Sequence, residues 1–212
     1  MISLALSMVI SAIFAAYMAR RYAARRRPHQ LVWAIGLSMF AVANGAALLA
    51  RTNGATALEY QLFYLFGAIL NVAWLALGTL YLLAPPRVAA AALWAVLALT
   101  AVSAVIVFTS PVDLTKAVDT GRGFEGAPLA RIFAGIGSGV GSIVLFGGAL
   151  WSALSFMRRR GGGRRALANV LIASGVLVAA FGGAAAFTGA SGFVEWTNLV
   201  AITLIFLGFL LV

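Results

Sequence analysis

The sequence predicts an all-α integral membrane protein, a seven-transmembrane-helix bundle with its N-terminus outside and its C-terminus cytoplasmic. Three observations predict it. Of 212 residues, 63% are hydrophobic and only 9% are charged, whereas a soluble domain carries about a quarter charged residues. The apolar residues fall into stretches close to the roughly 20 residues that a helix needs to cross about 30 Å of hydrocarbon. The charges between those stretches segregate by sign onto alternate connections, as expected when lysine and arginine are held on the cytoplasmic side.

Seven spans follow in order, at about 2–19, 31–50, 60–83, 88–109, 130–156, 166–188 and 193–212. The whole chain, 1–212, is therefore read as one membrane domain. The first stretch has no basic residue before it and a dense basic run after it, so it is expected to be a retained span with an outside N-terminus rather than a signal peptide. Pro28, Pro85, Pro86, Pro111 and Pro128 all lie at or outside span ends, and no proline hinge is expected within a span. The segment 110–129 mixes charge, glycine and proline and reads as an external loop with room for one helical turn. The last apolar run reaches Val212 without a basic tail, which suits a piece of a longer protein or a terminus covered by a partner.

The connections after spans one, three and five carry Arg20, Arg21, Arg25, Arg26, Arg27, Arg87, Arg158, Arg159, Arg160, Arg164 and Arg165, eleven cations and no acid. The opposite side carries Arg51, Lys116, Arg122 and Arg131 against Glu59, Asp113, Asp119, Glu125 and Glu195, four cations and five acids. Eleven positive charges on one side and a net −1 on the other make up the formal +10. The charge is thus an orientation signal for a multi-pass protein of the bacterial inner membrane, and nucleic acid is not an expected partner. Arg25, Arg26, Arg27, Arg158, Arg159 and Arg160 are expected to contact anionic lipid, each cation near such a surface contributing about 1 kcal/mol. Trp33, Tyr60, Trp151 and Trp196 lie near span ends, where amphipathic rings suit the headgroup layer.

Composition excludes much chemistry. With no cysteine and one histidine, disulfides, thiolate metal sites, iron–sulfur clusters and bis-histidine haem ligation are not available. His29, the one histidine, sits in a basic connection. No ionisable residue falls in the middle of a predicted span, so proton pumping, ion-coupled transport and voltage sensing lack the groups they use. The expectation is a protein that is not an enzyme and has no cofactor and no metal.

The third span carries the most information. Tyr60, Tyr64, Gly67, Asn71, Trp74, Gly78 and Tyr81 recur at steps of 4, 3, 4, 3, 4 and 3, which places them on one face of an α-helix. Three hydroxyls, an indole and an amide in hydrocarbon need partners, so this face is expected to point into the bundle. It reads either as a ligand-binding face, with Asn44 of the second span opposite, or as a packing seam opened by Gly67 and Gly78. In the fifth span Gly135 and Gly139, and in the next register Gly137 and Gly141, make GxxxG faces. Gly175 and Gly183 bound a similar face in the sixth. Such faces bring helices close together, within the bundle or toward a protein partner or second copy.

An internal echo pairs the first and last three spans. Arg26-Arg27 and Arg164-Arg165 each precede a span that ends in small residues, and Glu59-Tyr60 and Glu195-Trp196 each open the next. A three plus one plus three plan of parallel halves would produce it. Sugar transporters of the SWEET type resemble this chain in that plan, but their signature of proline followed by glutamine or asparagine within helices is absent. The topology also resembles that of microbial rhodopsins. The seventh span lacks their retinal Schiff-base lysine, the single lysine being Lys116 in the loop.

Arg27-Pro28-His29 before Trp33, then Tyr60, Tyr64 and Gly67 leading to Trp74-Leu75, Gly78 and Tyr81-Leu82, resembles the seven-helix membrane sensor regions of bacterial histidine kinases and uncharacterised stand-alone bacterial relatives. The likeness covers about a quarter of the chain. It implies sensing of a small or lipophilic ligand, or of the membrane itself, with no kinase following here. The expected function is a non-enzymatic receptor-like sensor or an accessory subunit of a membrane complex, with Asn44, Tyr60, Tyr64, Asn71, Trp74 and Tyr81 as candidate ligand-binding residues. The alternative is a facilitative transporter of a small neutral solute.

Overall fold

The structure, a computed structural model, describes all residues except 121, 158–162, 189–192 and 212, with the side chains of 118–120, 156 and 186–188 also left undescribed. Helices account for almost all of what is described: α1 (Ile2–Arg25), α2 (Pro28–Asn53), α3 (Ala57–Leu83), α4 (Pro86–Thr109), the short α5 (Leu114–Thr120), α6 (Pro128–Ala134 continuing through Gly135–Val140 and Gly141–Met157), α7 (Gly163–Thr188) and α8 (Val194–Leu210). Among the described residues there is no strand. Six helices are long and apolar enough to cross a membrane, and α8 is a shorter apolar helix of 17 residues. The chain is a multi-pass helical membrane protein.

Local chemistry explains the helix starts. Proline opens α2, α4 and α6, where its missing N–H is no loss because the first turn has no acceptor for it. A capping box opens α3: Thr56 Oγ1 accepts from the Glu59 N–H, and Glu59 Oε2 accepts from the Thr56 N–H. The α1–α2 connection is only Arg26 and Arg27, and Arg26 takes the left-handed conformation (φ 51°) that ends α1.

Six helices form a closed ring in which α1 packs on α2, α2 on α3, α3 on α6, α6 on α7, α7 on α8, and α8 back on α1. α4 stands outside, against α3 and the start of α6, with most of its surface turned away from the protein. Exchanging the first three helices for the last three maps neighbour onto neighbour around this ring. The correspondence reaches side-chain detail. A Cβ on Gly36 of α2 would meet Leu75 Cγ at 3.0 Å and the Asn71 carbonyl oxygen at 3.1 Å of α3. A Cβ on Gly175 of α7 would meet Ile205 Cγ1 at 2.7 Å and the Ala201 carbonyl oxygen at 2.8 Å of α8.

Glycine sets the closest approaches, and the structure sorts the predicted packing glycines. Gly137 and Gly141 of α6 lie against the backbone of α3 at Ile69 and Val72, Gly67 faces Ala43, and Gly78 lies under the Trp33 ring. Gly135, Gly139 and Gly183 face open space, so of the two staggered faces on α6 only one is an internal seam. On α7 the buried neighbour is Gly182, against Thr197, rather than Gly183.

Two helices depart from regular α geometry. Tyr64–Leu70 in α3 and Gly135–Val140 in α6 are π-helical, and the two wide segments touch each other. The absence of mid-span proline did not therefore mean regular helices. Trp33, expected in the headgroup layer, is only 9% exposed and donates its Nε1 hydrogen to the Leu75 carbonyl (3.0 Å), whereas Trp151 and Trp196 are exposed.

Because a methyl on Gly137 would collide with the Ile69 carbonyl, Gly137→Ala is expected to destabilise the bundle by about 1–3 kcal/mol. Gly139→Ala, pointing into open space, is expected to be neutral or to stabilise by up to about 1 kcal/mol. Thermal unfolding in one detergent separates the two variants.

Candidate functional site

The ring has an acidic end and a basic end. At the acidic end the N-termini of α1, α3 and α8 meet the C-terminus of α2, and the connection from α4 to α6 folds over them. Glu195, 16% exposed, pairs with Arg51 of α2, takes a hydrogen bond from Ser3 Oγ (2.7 Å) and lies 3.7 Å from the Met1 amine. One carboxylate in the first turn of α8, where the helix dipole also favours it, thus ties three helices and both halves of the ring together.

The candidate site lies beside this latch, at the outer turns of α3. Tyr60 and Tyr64 project one turn apart from α3, and the ring of Phe124, carried by the loop, sits against both at centroid distances of 5.3 and 4.8 Å. Phe124 is only 1% exposed although it belongs to a glycine-rich, charged connection. The Tyr60 hydroxyl accepts the Gly123 N–H at 2.9 Å, and a Cβ on Gly123 would strike the Tyr60 ring. Glycine at 123 is therefore what lets the backbone reach the hydroxyl while the next residue inserts its ring. Gln61 adds a bond from its Nε2 to the Val107 carbonyl (3.2 Å), holding the end of α4 to the same region.

The loop is braced on its own surface. Lys116 Nζ lies 2.8 Å from Glu125 and 3.9 Å from Asp113, beside an open hollow of about 480 Å³. The Thr115 hydroxyl, with the Thr115 and Lys116 amides and the Lys116 charge, holds the Asp113 carboxyl below its ordinary value. The Lys116 ammonium does the same to Glu125 by hydrogen bond and charge, and Glu125 in turn raises Lys116. All three groups are fully solvated, so each pair contributes little.

Deeper in α3 the predicted residues find protein partners. Asn71 Oδ1 accepts the Val72 N–H (2.6 Å), and Ser138 of α6 donates its hydroxyl to the Ala68 carbonyl. These bonds fall where the backbone returns from i+5 to i+4 pairing, a change of register that skips a carbonyl. Trp74 donates from Nε1 to Thr100 Oγ1 of α4 (3.2 Å). Asn44 is buried but donates to Phe40 of its own helix (2.7 Å) rather than to α3, and Tyr81 is half-buried at the basic end.

The predicted stripe is therefore divided. Tyr60 and Tyr64 meet the loop and Trp74 meets α4, while Gly67 and Gly78 meet α2. The spacing assumed an unbroken α-helix, whereas a π segment runs from Tyr64 to Leu70. Phe124, Gly123 and Thr100 did not emerge from sequence reasoning. The signal that could have found Phe124 is an aromatic residue between glycine and acid in a charged loop.

At the basic end Arg25, Arg26 and Arg27 are all exposed in the α1–α2 hairpin, Arg26 lying over the Tyr22 ring. Arg158, Arg159 and Arg160 lie outside the described residues. His29 packs edge-on to Trp33 at 5.1 Å. Comparison with family models, curated proteins and solved structures finds no match for this chain.

Tyr60→Phe removes the acceptor of the Gly123 amide, and a loss of about 1 kcal/mol in loop docking is expected, read as faster proteolysis within 113–126 at unchanged helix content. The pH dependence has a definite sign. Asp113 and Glu125 are held below their ordinary 3.8 and 4.5, so their contribution is present above those values and is lost as pH falls through the lower folded values. Lys116, raised above 10.5, contributes below that pH and loses its effect as pH rises through its folded value. Amide exchange in the loop is expected to be slowest, after correction for intrinsic rates, between about pH 5 and 10.

Proposed function

We propose that this chain is a non-enzymatic, receptor-like sensor of a small amphipathic ligand, set in the bacterial inner membrane with seven crossings, the acidic end outside and the basic end in the cytoplasm. The observation that carries the reading is Phe124: a loop residue, not a helix residue, packs its buried ring against both Tyr60 and Tyr64. A ring supplied by a loop is the element that a ligand of similar shape can displace. Its seat is on α3, the helix that touches α2, α4 and α6, so displacement reaches most of the bundle. The orientation is supported by the five acids lying toward one end and the arginine-rich connections toward the other, and by Glu195 meeting Met1, since α1 and α8 start at the same end as odd-numbered crossings do.

Of the two forms of the expectation, sensor and accessory subunit, the inward packing of Gly137, Gly141 and Gly175 favours the sensor. Gly135, Gly139 and Gly183 face open space and are the positions available to a second protein. Exposed Arg25, Arg26 and Arg27 suit anionic headgroups on the cytoplasmic leaflet.

A second reading, facilitative transport of a small neutral solute, is favoured by the exchange symmetry of the ring and by the matched Gly36 and Gly175 contacts. The two readings separate in reconstituted protein. For the sensor, indole and other aromatic amphiphiles are titrated while amide exchange at Gly123 and Phe124 is followed. Saturable acceleration that Tyr64→Ala abolishes is expected, and no response across the series would sink the reading. For the carrier, glycerol or sugar flux into proteoliposomes above empty vesicles is the expected result, and its absence removes that alternative.

A further inference from the structure

We propose that α3 has two registers, the one observed and an unbroken α-helix, and that the π segment at Tyr64–Leu70 is the joint between them. The sequence and the structure describe different members of this pair. The steps of 4 and 3 from Tyr60 to Tyr81 align all seven residues only if α geometry runs throughout. In the structure Tyr64–Leu70 is π-helical, a wide turn that takes up one extra residue between Tyr64 and Asn71.

The contacts at the joint are those of a pinned state. The Ser138 hydroxyl holds the Ala68 carbonyl, Asn71 Oδ1 holds the Val72 N–H, and the two glycines of α6 let its own π segment press against Ile69 and Val72. Polar side chains here serve backbone groups that an α-helix would serve by itself. Removing the pin therefore leaves α3 free to recover its regular hydrogen bonding. Closing the wide turn without deleting a residue rotates the outer half of α3 relative to the inner half by about 100° and lengthens the helix by about 1.5 Å. Tyr60 and Tyr64 turn away from Phe124, and Tyr60 leaves the Gly123 amide. The closed loop and the π register belong together, as do the released loop and the α register. Anything that binds one loop state better shifts the register with it.

The inference uses the receptor reading only for the identity of what moves the equilibrium; the register itself is measured with no ligand present. The chain has no cysteine, so paired labels can be introduced without background. One pair, Leu58→Cys with Leu129→Cys, reports the outer ends of α3 and α6. A second, Leu82→Cys with Trp151→Cys, reports the inner ends; all four side chains are exposed.

Spin-label distances are measured in lipid nanodiscs. Ser138→Ala is expected to add or enlarge a second distance population in the outer pair, a label at about 5–6 Å from the helix axis moving by roughly 8 Å, while the inner pair stays fixed. Deleting Ala68 removes the extra residue instead of redistributing it. That variant is expected to keep the present orientation of both ends and to show one outer population even with Ser138→Ala. Should the deletion variant fail to fold, the Ser138→Ala comparison still decides. An outer-pair distribution identical in wild type and Ser138→Ala overturns the two-register proposal and leaves ligand-driven amide exchange in the loop as a separate question.

Discussion

The rest of the bundle depends on the backbone contact between α3 and α6. In hydrocarbon there is no hydrophobic force between helices, so association rests on close packing and on satisfied polar groups. Gly137 and Gly141 supply the first by letting α6 reach the main chain of α3, and Ser138, the residue after Gly137, supplies the second through the Ala68 carbonyl. This interface joins the first three helices to the last three on one side of the ring. The contact of α8 with α1 joins them on the other, locked at its acidic end by Glu195. The two junctions differ in chemistry, one a small-residue seam with a single hydroxyl and the other an ion cluster above apolar packing of Phe14 on Phe206 and Phe209.

That arrangement gives α3 its place. It is flanked by α2, α4 and α6, and the connection from α4 to α6 caps it through Phe124 and Gly123. α4 joins the halves without entering the ring, held to α3 by the Trp74–Thr100 bond and by Gln61 reaching Val107. The loop that follows α4 then returns Phe124 to α3 before starting α6. The path from α4 to α6 is anchored on α3 at both depths.

Much of this was legible in the chain itself. Long apolar stretches dictate helices because backbone groups in lipid have to bond within their own segment. The helix ends follow from prolines 28, 86 and 128 and from the Thr56 and Glu59 pair. Tyr64, Asn71 and Trp74 were rightly expected to be buried, since rings and amides on an otherwise aliphatic helix seek partners, whereas Tyr60, also expected in the headgroup layer, is covered by the loop. Asn44 was not matched to α3 because an amide can equally serve a carbonyl of its own helix. Gly135, Gly139 and Gly183 show the limit of motif reading: spacing identifies a face but not which of two adjacent faces meets a neighbour.

By itself, then, the sequence determined the all-helical membrane class of structure, the approximate limits of six long apolar helices, and the lack of any thiol. Those properties depend on composition and on near neighbours along the chain. Tertiary structure decided the ring order, the inward face of α6 and α7, the burial of Trp33, the seating of Phe124 and the two π segments. Each of these is a competition between alternatives that cost nearly the same locally. A helix gives up regular hydrogen bonding at Tyr64–Leu70 only because a hydroxyl from a helix about 70 residues away stands ready to take a freed carbonyl. No window of sequence contains both partners.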